Sequence, residues 1–324
     1  MKRALLLLLA LSIPALFQGC DNGNQAASAN SGQKKLRLAF VGSSSDNFWA
    51  IVRLGCDSAA REAGDVDLDF RTPLNRTAAA QRDILNDLVS NRVDGIAISP
   101  IDAENQTALL DSVASNTMLV CVDSDAEKSK RTCYIGTDNL AAGAQAADLV
   151  KSALPQGGKI ALFVGYPTAQ NAKERIQGIT RGLAGSGIEV VETFADNTKS
   201  ELAQKNAQEA LAKYPDLAGV VGLYSYDGPA ILAALRGAGK IGKVKIVCFD
   251  EESDTLAGIA AGEIYGTVVQ KPFFTGRESV LRMARYLRGD KKQIADGKLL
   301  IPTHTVIKEN VADFQVELKT VLRQ

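Results

Sequence analysis

Five short polar clusters, each placed directly after an apolar run, hold the side chains of this 324-residue chain that could do chemistry. They are Ser43-Ser44-Ser45-Asp46, Asp123-Ser124-Asp125, Tyr224-Ser225-Tyr226-Asp227, Asp250-Glu251-Glu252 and Gln270. Carboxylates accept several hydrogen bonds, and bonds to a charged acceptor are the stronger kind. A glutamine amide donates and accepts at once. This set is suited to holding a small polar molecule without covalent change. Enzyme chemistry is not expected, because no nucleophile–base pair, metal cluster or phosphate loop accompanies the carboxylates. No cysteine spacing resembles a zinc site, and no cofactor is expected.

The elements that must position these clusters repeat along the chain. Strands are predicted over 36–41, 66–70, 95–99 and 118–122, alternating with helices over 48–63, 78–91 and 103–115, whose apolar residues recur every three or four positions. The pattern then restarts. Helices over 140–154, 171–186, 200–213, 229–238 and 254–261 alternate with strands over 159–164, 189–194, 219–223, 244–249 and 266–269. Such a βαβ series predicts an α/β protein of two doubly wound lobes, each a parallel sheet covered on both faces by helices. Ligands of open parallel sheets sit beyond the carboxyl ends of the strands, where the polar clusters fall.

The start of the chain predicts export. Lys2 and Arg3 precede an apolar run over 4–17, shorter than the roughly 20 residues a membrane span needs. It reads as a signal peptide over 1–19. The sequence LFQGC (16–20) resembles the lipobox of bacterial lipoproteins, which implies lipidation of Cys20, although Phe17 stands where leucine is usual. The small polar stretch over 20–35 has nothing to bury and reads as a tether. About 290 residues follow, enough for two domains. Thirty-seven basic residues balance 37 acidic ones, and removal of Lys2 and Arg3 leaves 35 against 37. Nucleic acid, which calls for a basic face, is not an expected partner. The cluster of Lys128, Lys130 and Arg131 reads as a solvated turn.

From residue 36 to about 308 the chain resembles the ribose-binding-protein family of type I periplasmic binding proteins. The resemblance rests on an ordered set of motifs: VGSSSDNFW (41–49), VCVDS (120–124), NAKERIQG (171–178), LYSYDGPA (223–230), VCFD (247–250) and TVVQ (267–270). It implies a periplasmic protein that closes two lobes on a small sugar and delivers it to an ABC permease with its ATPase, as a monomer. The implied ligand-binding residues are Asp46, Phe48, Trp49, Asp123, Arg175, Tyr226, Asp227, Asp250 and Gln270, with one of Tyr226 and Asp227 touching the ligand. The two adjacent aromatics of the first motif would sandwich the sugar ring. The chemistry of these positions agrees: flat rings for the C–H face of a pyranose, carboxylates for its hydroxyls, and the fixed donor fork of Arg175 for hydroxyl oxygens and neighbouring carboxylates. Ser124 stands where ribose binders carry a second arginine, which argues against ribose itself. Pentose, hexose and a related polyol all remain open.

The resemblance also implies three crossings between lobes, near 137–138, 270–271 and 303–305. One lobe is then 36–137 with 271–302, and the other is 138–270 with 303–324. The only histidine, His304, falls on the third crossing and reads as a hinge or surface side chain. Cys121 and Cys133 flank a short turn on strands the family places side by side, a possible disulfide; Cys56 and Cys248 read as buried free thiols. A rival role is that of a ligand-presenting sensor for a membrane signalling receptor. A sugar-responsive repressor is disfavoured, since a secretion signal stands where a helix-turn-helix would be needed.

Overall fold

A computed structural model describes residues 34–294 and 296–323. The signal peptide expected over 1–19, Cys20 and nearly all of the tether lie outside the described residues.

Two six-stranded sheets organise the chain. The first contains β1 (Leu36–Val41), β2 (Val66–Arg71), β3 (Gly95–Ile98), β4 (Met118–Val122) and β5 (Cys133–Gly136), interleaved with α1 (Asn47–Ala63), α2 (Ala78–Ser90) and α3 (Ala103–Ala114). The chain then enters the second sheet through α4 (Asn139–Ala153), β6 (Gly158–Val164), α5 (Gln170–Gly182), β7 (Ile188–Ala195), α6 (Ser200–Lys213), β8 (Leu217–Gly222), α7 (Asp227–Gly237), β9 (Lys245–Phe249), α8 (Ser253–Ala261) and β10 (Gly266–Val269). It returns to the first lobe with α9 (Pro272–Leu287) and β11 (Lys298–Leu300), and ends in the second with β12 (His304–Ile307) and α10 (Val311–Val321).

The strand orders correspond: β11-β5-β4-β3-β1-β2 and β12-β10-β9-β8-β6-β7. Central strands such as β3 and β9 are near-continuous apolar runs because helices cover both faces. The outer strand β2, Val-Asp-Leu-Asp-Phe-Arg, alternates instead and is only half-buried. Helix starts are fixed locally. Thr77 and Asp102 cap α2 and α3, and Asp138 caps α4 through a 2.9 Å bond from the Ala141 amide, where the chain first changes sheet.

The structure departs from the parallel expectation at β12, which runs antiparallel to β10 with His304 opposite Val269. The chain arrives there directly from the neighbouring lobe, without the helical crossover that parallel pairing needs. The periodic pattern also stopped at β10, whereas α9, β11, β12 and α10 complete the layers. In α9, Gly276 lets two helix backbones touch: a Cβ there would run into the Val52 carbonyl of α1, and a Cβ on Gly55 would run into the Phe273 carbonyl of α9. The second lobe repeats the device. Gly143 of α4 lies against the Arg175 carbonyl, and Gly178 of α5 against the Leu140 carbonyl.

The suggested Cys121–Cys133 disulfide is not formed; both thiols are free and buried. The register explains it. Val120, not Cys121, lies opposite Cys133, and Cys121 lies opposite Tyr134. Successive side chains alternate between faces, so Cys121 packs into the cluster with Leu85 and Leu110 while Cys133 packs on the other face with Val52 and Val280. Cys56 and Cys248 are buried free thiols too. Alkylation should label Cys56, Cys121, Cys133 and Cys248 only after denaturation, without prior reduction; a protected pair under non-reducing denaturation would contradict this register.

Candidate functional site

The carboxyl ends of both sheets face one cavity of about 420 Å³, counted with its open mouth. Seven of the nine residues singled out in the sequence line it: Asp46, Phe48, Trp49, Asp123, Arg175, Asp250 and Gln270. Asp123 follows β4 and Asp250 follows β9, the corresponding strands of the two lobes. Both have left-handed backbones, with φ of +59° and +68°. Such conformations cost about 1–3 kcal/mol in residues other than glycine and collect at ligand sites. Here they turn each aspartate off its strand.

Hydrogen bonds fix the aspartates. Asp123 Oδ2 accepts from Ser99 Oγ at 2.9 Å and Asn171 Nδ2 at 3.1 Å. Asp250 Oδ1 accepts from Gln270 Nε2 at 2.9 Å, and Gln270 Oε1 accepts from Thr137 Oγ1 at 2.9 Å, so two passages of the chain between sheets meet at one amide. Gln81 of α2, fully buried, ties the loops after β1 and β3 by donating to the Gly42 and Ser99 carbonyls at 3.0 and 2.8 Å.

Arg175 is 2% exposed, a full charge inside the protein. Its Nε donates to Asn139 Oδ1 at 2.9 Å, its Nη1 to the Leu223 carbonyl at 2.6 Å, and its guanidinium lies 4.5 Å over the Phe249 ring. Nη2 is buried without a partner among the described residues, and so is Asp46 Oδ1. Asp46 Oδ2 accepts from Ser44 Oγ at 2.6 Å. A buried polar atom left unpaired costs about 1–3 kcal/mol, more if charged, and both of these belong to residues that line the cavity; the Phe48 and Trp49 amides and Arg76 also favour the ionised form of Asp46.

Two expectations change. Tyr226 and Asp227 do not reach the cavity; Tyr224 and Ser225 do. Asp227 opens α7 and its Oδ2 turns back to accept the Tyr224 amide at 2.9 Å, while the Tyr226 hydroxyl bonds Asp196 at 2.6 Å behind the wall. Nor do Phe48 and Trp49 form a sandwich. Their centroids are 5.2 Å apart at 81°, edge to face, with no room for a sugar ring between them. The aromatic area from the other lobe comes from Tyr166 and Tyr224. Tyr166 follows β6, so the strand-end rule applied to β6 would have found it. His304 lies away from the cavity, with its ring 5.3 Å from that of Phe314.

Direct bonds join the lobes around the cavity. The Tyr166 hydroxyl donates to the Arg76 carbonyl at 2.9 Å, the Gln170 amide to Ser124 Oγ at 3.1 Å, and Asn47 Nδ2 to Glu252 at 3.2 Å; Arg76 also donates to the Thr198 carbonyl. The conformation is closed.

Burial pushes the Asp250 carboxyl up to about 7, with Arg175 and the Gln270 hydrogen bond pulling the other way. Burial also raises Asp123 and Asp46. Unfolded, such groups titrate near ~3.9. The folded form therefore holds more protons, and stability present below about pH 4 is lost as pH climbs towards 7. Without added ligand the protein should melt at a lower temperature at pH 8 than at pH 5.5. Asp250→Asn, which cannot ionise, should flatten that slope, and an unchanged slope in the variant would remove Asp250 as its source.

Residues 38–291 match the periplasmic binding protein domain. Similar proteins include the ribose import binding protein RbsB of Bacillus subtilis (strain 168), 28% identical over 90% of this chain and 96% of the relative. Among solved structures, an ABC transporter solute binding protein from Burkholderia graminis C4D1M in complex with D-arabinose is 32% identical, with TM-score 0.81 over 86% of this chain and 96% of that one. The XylFII-LytSN complex contains a chain 25% identical, with TM-score 0.78 over 86% of this chain and 99% of that one.

Proposed function

The chain belongs to the periplasmic binding protein family, and on that premise we propose that it binds a monosaccharide or closely related small polyol between its lobes and delivers it to an ABC-type import permease. The observation that carries the reading is that both lobes bring hydrogen-bonding side chains, Asp46 and Asp123 from one and Arg175, Asp250 and Gln270 from the other, to one cavity lined also by Phe48, Trp49, Tyr166 and Tyr224. An acceptor and a donor flanking apolar faces suit a ring with C–H faces and a hydroxyl rim. Similarity to a D-arabinose-bound solute binding protein and to a ribose import binding protein supports the same class.

Capture begins with the lobes apart. Only the closed form touches the ligand from both sides, so binding shifts the equilibrium towards closure. A thermal-shift screen of the purified protein against pentoses, hexoses and cyclic polyols tests the reading. At least one should raise the melting temperature in a saturable way, and silence across the panel counts against it. A second reading, presentation of the closed form to a membrane signalling receptor, draws on the likeness to the XylFII-LytSN complex. Co-purification from solubilised membranes separates the two by whether a permease or a receptor is recovered.

We also propose that Cys20 carries the lipid anchor. Among the described residues no helix is long and apolar enough to cross a membrane. Mass spectrometry of the membrane fraction should find a diacylated Cys20 and no peptide from 1–19; an intact Met1 would refute it.

A further inference from the structure

Behind the cavity wall two carboxyl groups meet. Asp196 follows β7 and Asp227 opens α7, and both are fully buried. Asp196 Oδ1 accepts the Thr198 amide at 2.9 Å and the Tyr226 hydroxyl at 2.6 Å, and Asp227 Oδ2 accepts the Tyr224 amide. The other oxygens, Asp196 Oδ2 and Asp227 Oδ1, take no bond from an N–H or hydroxyl among the described residues. The two carboxyls lie within hydrogen-bonding reach of each other. Two carboxylates cannot bond directly, whereas a carboxyl and a carboxylate can, through one proton.

The loop that Asp196 begins reaches the other lobe. Asn197 and Thr198 are both left-handed, at φ +53° and +58°, a strained conformation for a β-branched residue such as Thr198. It aims the Thr198 carbonyl at Arg76, which donates to it, and sets the Thr198 hydroxyl 3.1 Å from that of Tyr166. Asp196 thus pins the strained loop from behind while Arg76 of the opposite lobe grips it in front.

We propose that Asp196 and Asp227 are a proton-sharing pair that positions the Thr198 clasp, and that loss of the shared proton releases the clasp and favours the open form. The device acts on closure itself, whichever ligand the lobes close on. Burial pushes both carboxyls up, and the charge of Asp196 raises Asp227 further, so the pair keeps a proton that an exposed aspartate, near ~3.9, would have lost. Support for closure is therefore present at acidic and neutral pH and is lost as alkaline pH removes that proton, leaving two like charges out of water. The ionisable neighbours are Tyr226 at the start of α7, Tyr224 after β8, Tyr166 after β6 and Cys248 on β9; burial raises all four, so they stay neutral. The buried face of α6 carries no ionisable group, and Lys199 and Glu201 beside the loop are exposed.

Trp49, the single tryptophan, is 4% exposed in the closed cavity, so quenching of its fluorescence by acrylamide, a neutral probe, reads opening of the full chain without any ligand. Between about pH 6 and about pH 9 quenching of the parent should rise, reflecting a roughly 2- to 10-fold gain in the open-to-closed ratio when one mouth bond is lost. Asp196→Asn and Asp227→Asn each keep an oxygen for the neighbouring amide and place a permanent N–H donor between the two side chains. Quenching should stay low in both at either pH. Arg76→Asn, which tolerates the left-handed backbone at φ +54°, should be quenched readily already at the lower pH. Parent quenching that does not change with pH overturns the proposal. A rise that persists unchanged in both variants of the pair would belong to the cavity aspartates and overturns it too. So does an Arg76→Asn variant quenched no more than the parent at the lower pH, because Thr198 would then not be a clasp.

Discussion

Asp250→Asn should weaken binding of the best ligand by at least ~30-fold, the loss that corresponds to about 2–3 kcal/mol when a buried charged acceptor is removed. Asparagine is the informative substitution. Asp250 sits at φ +68°, a region that asparagine tolerates and alanine does not. Its backbone is pinned on both sides: its amide donates to the Val268 carbonyl at 2.9 Å, and its carbonyl accepts from Thr267 Oγ1 at 2.9 Å. The variant therefore keeps the turn and changes only the charge and one acceptor atom. That atom matters because Gln270 Nε2 already occupies Oδ1, which leaves Oδ2 for the ligand. His304→Ala, away from the cavity, serves as the control and should bind like the parent. Calorimetry reads both, and equal affinity in Asp250→Asn and the parent would move the binding site out of this cavity.

The largest loss of stability should come from one methyl group. Gly55→Ala should cost about 3 kcal/mol or more, at or beyond the upper end for overpacking. The new Cβ meets the backbone carbonyl of Phe273 and the amide of Arg277, not a side chain that could swing away. Either α1 and α9 separate along their length or the substitution is not accommodated. Gly237→Ala is the counter-experiment. Gly237 is also helical, the last residue of α7, but nothing lies within 4 Å of its would-be Cβ, so the change should be neutral or gain up to ~1 kcal/mol from helix propensity. Urea unfolding of the pair checks both signs. A Gly55→Ala variant as stable as the parent would mean that the two backbones are not in contact.

Much of the architecture is legible because buried parallel strands must be apolar. Runs such as Leu-Val-Cys-Val and Ile-Val-Cys-Phe admit few other readings, and polar residues directly after them mark the ligand edge. That rule places Asp123, Asp250 and Gln270 without further help. It fails at Tyr226 and Asp227 because β8 ends at Gly222 and α7 begins at Asp227. Only the first part of the intervening loop faces the cavity, and helix starts are less sharply written than strand ends. Arg175 is invisible to periodicity, since a buried arginine on a helix looks like a surface one; only the motif around it draws attention. The antiparallel turn of β12 depends on where a chain returning from the other lobe first meets a free sheet edge, and four residues carry no record of that.

The bonds that cross the mouth of the cleft set a background as well as a shape. Tyr166, Arg76, Gln170 and Asn47 hold the lobes together through groups that belong wholly to the protein. Each bond biases the equilibrium towards closure whether or not a ligand is inside. Apparent affinity is the intrinsic affinity scaled by the fraction already competent to bind, so a stronger mouth gives tighter capture. It also gives more molecules that look occupied when they are not. A membrane partner that recognises only closure would be triggered by that idle population, spending nucleotide without cargo if it is a pump or signalling without stimulus if it is a receptor. Several bonds at the mouth are partly exposed to water and so individually weak, which keeps the false signal low while leaving enough bias for a small ligand to tip the balance.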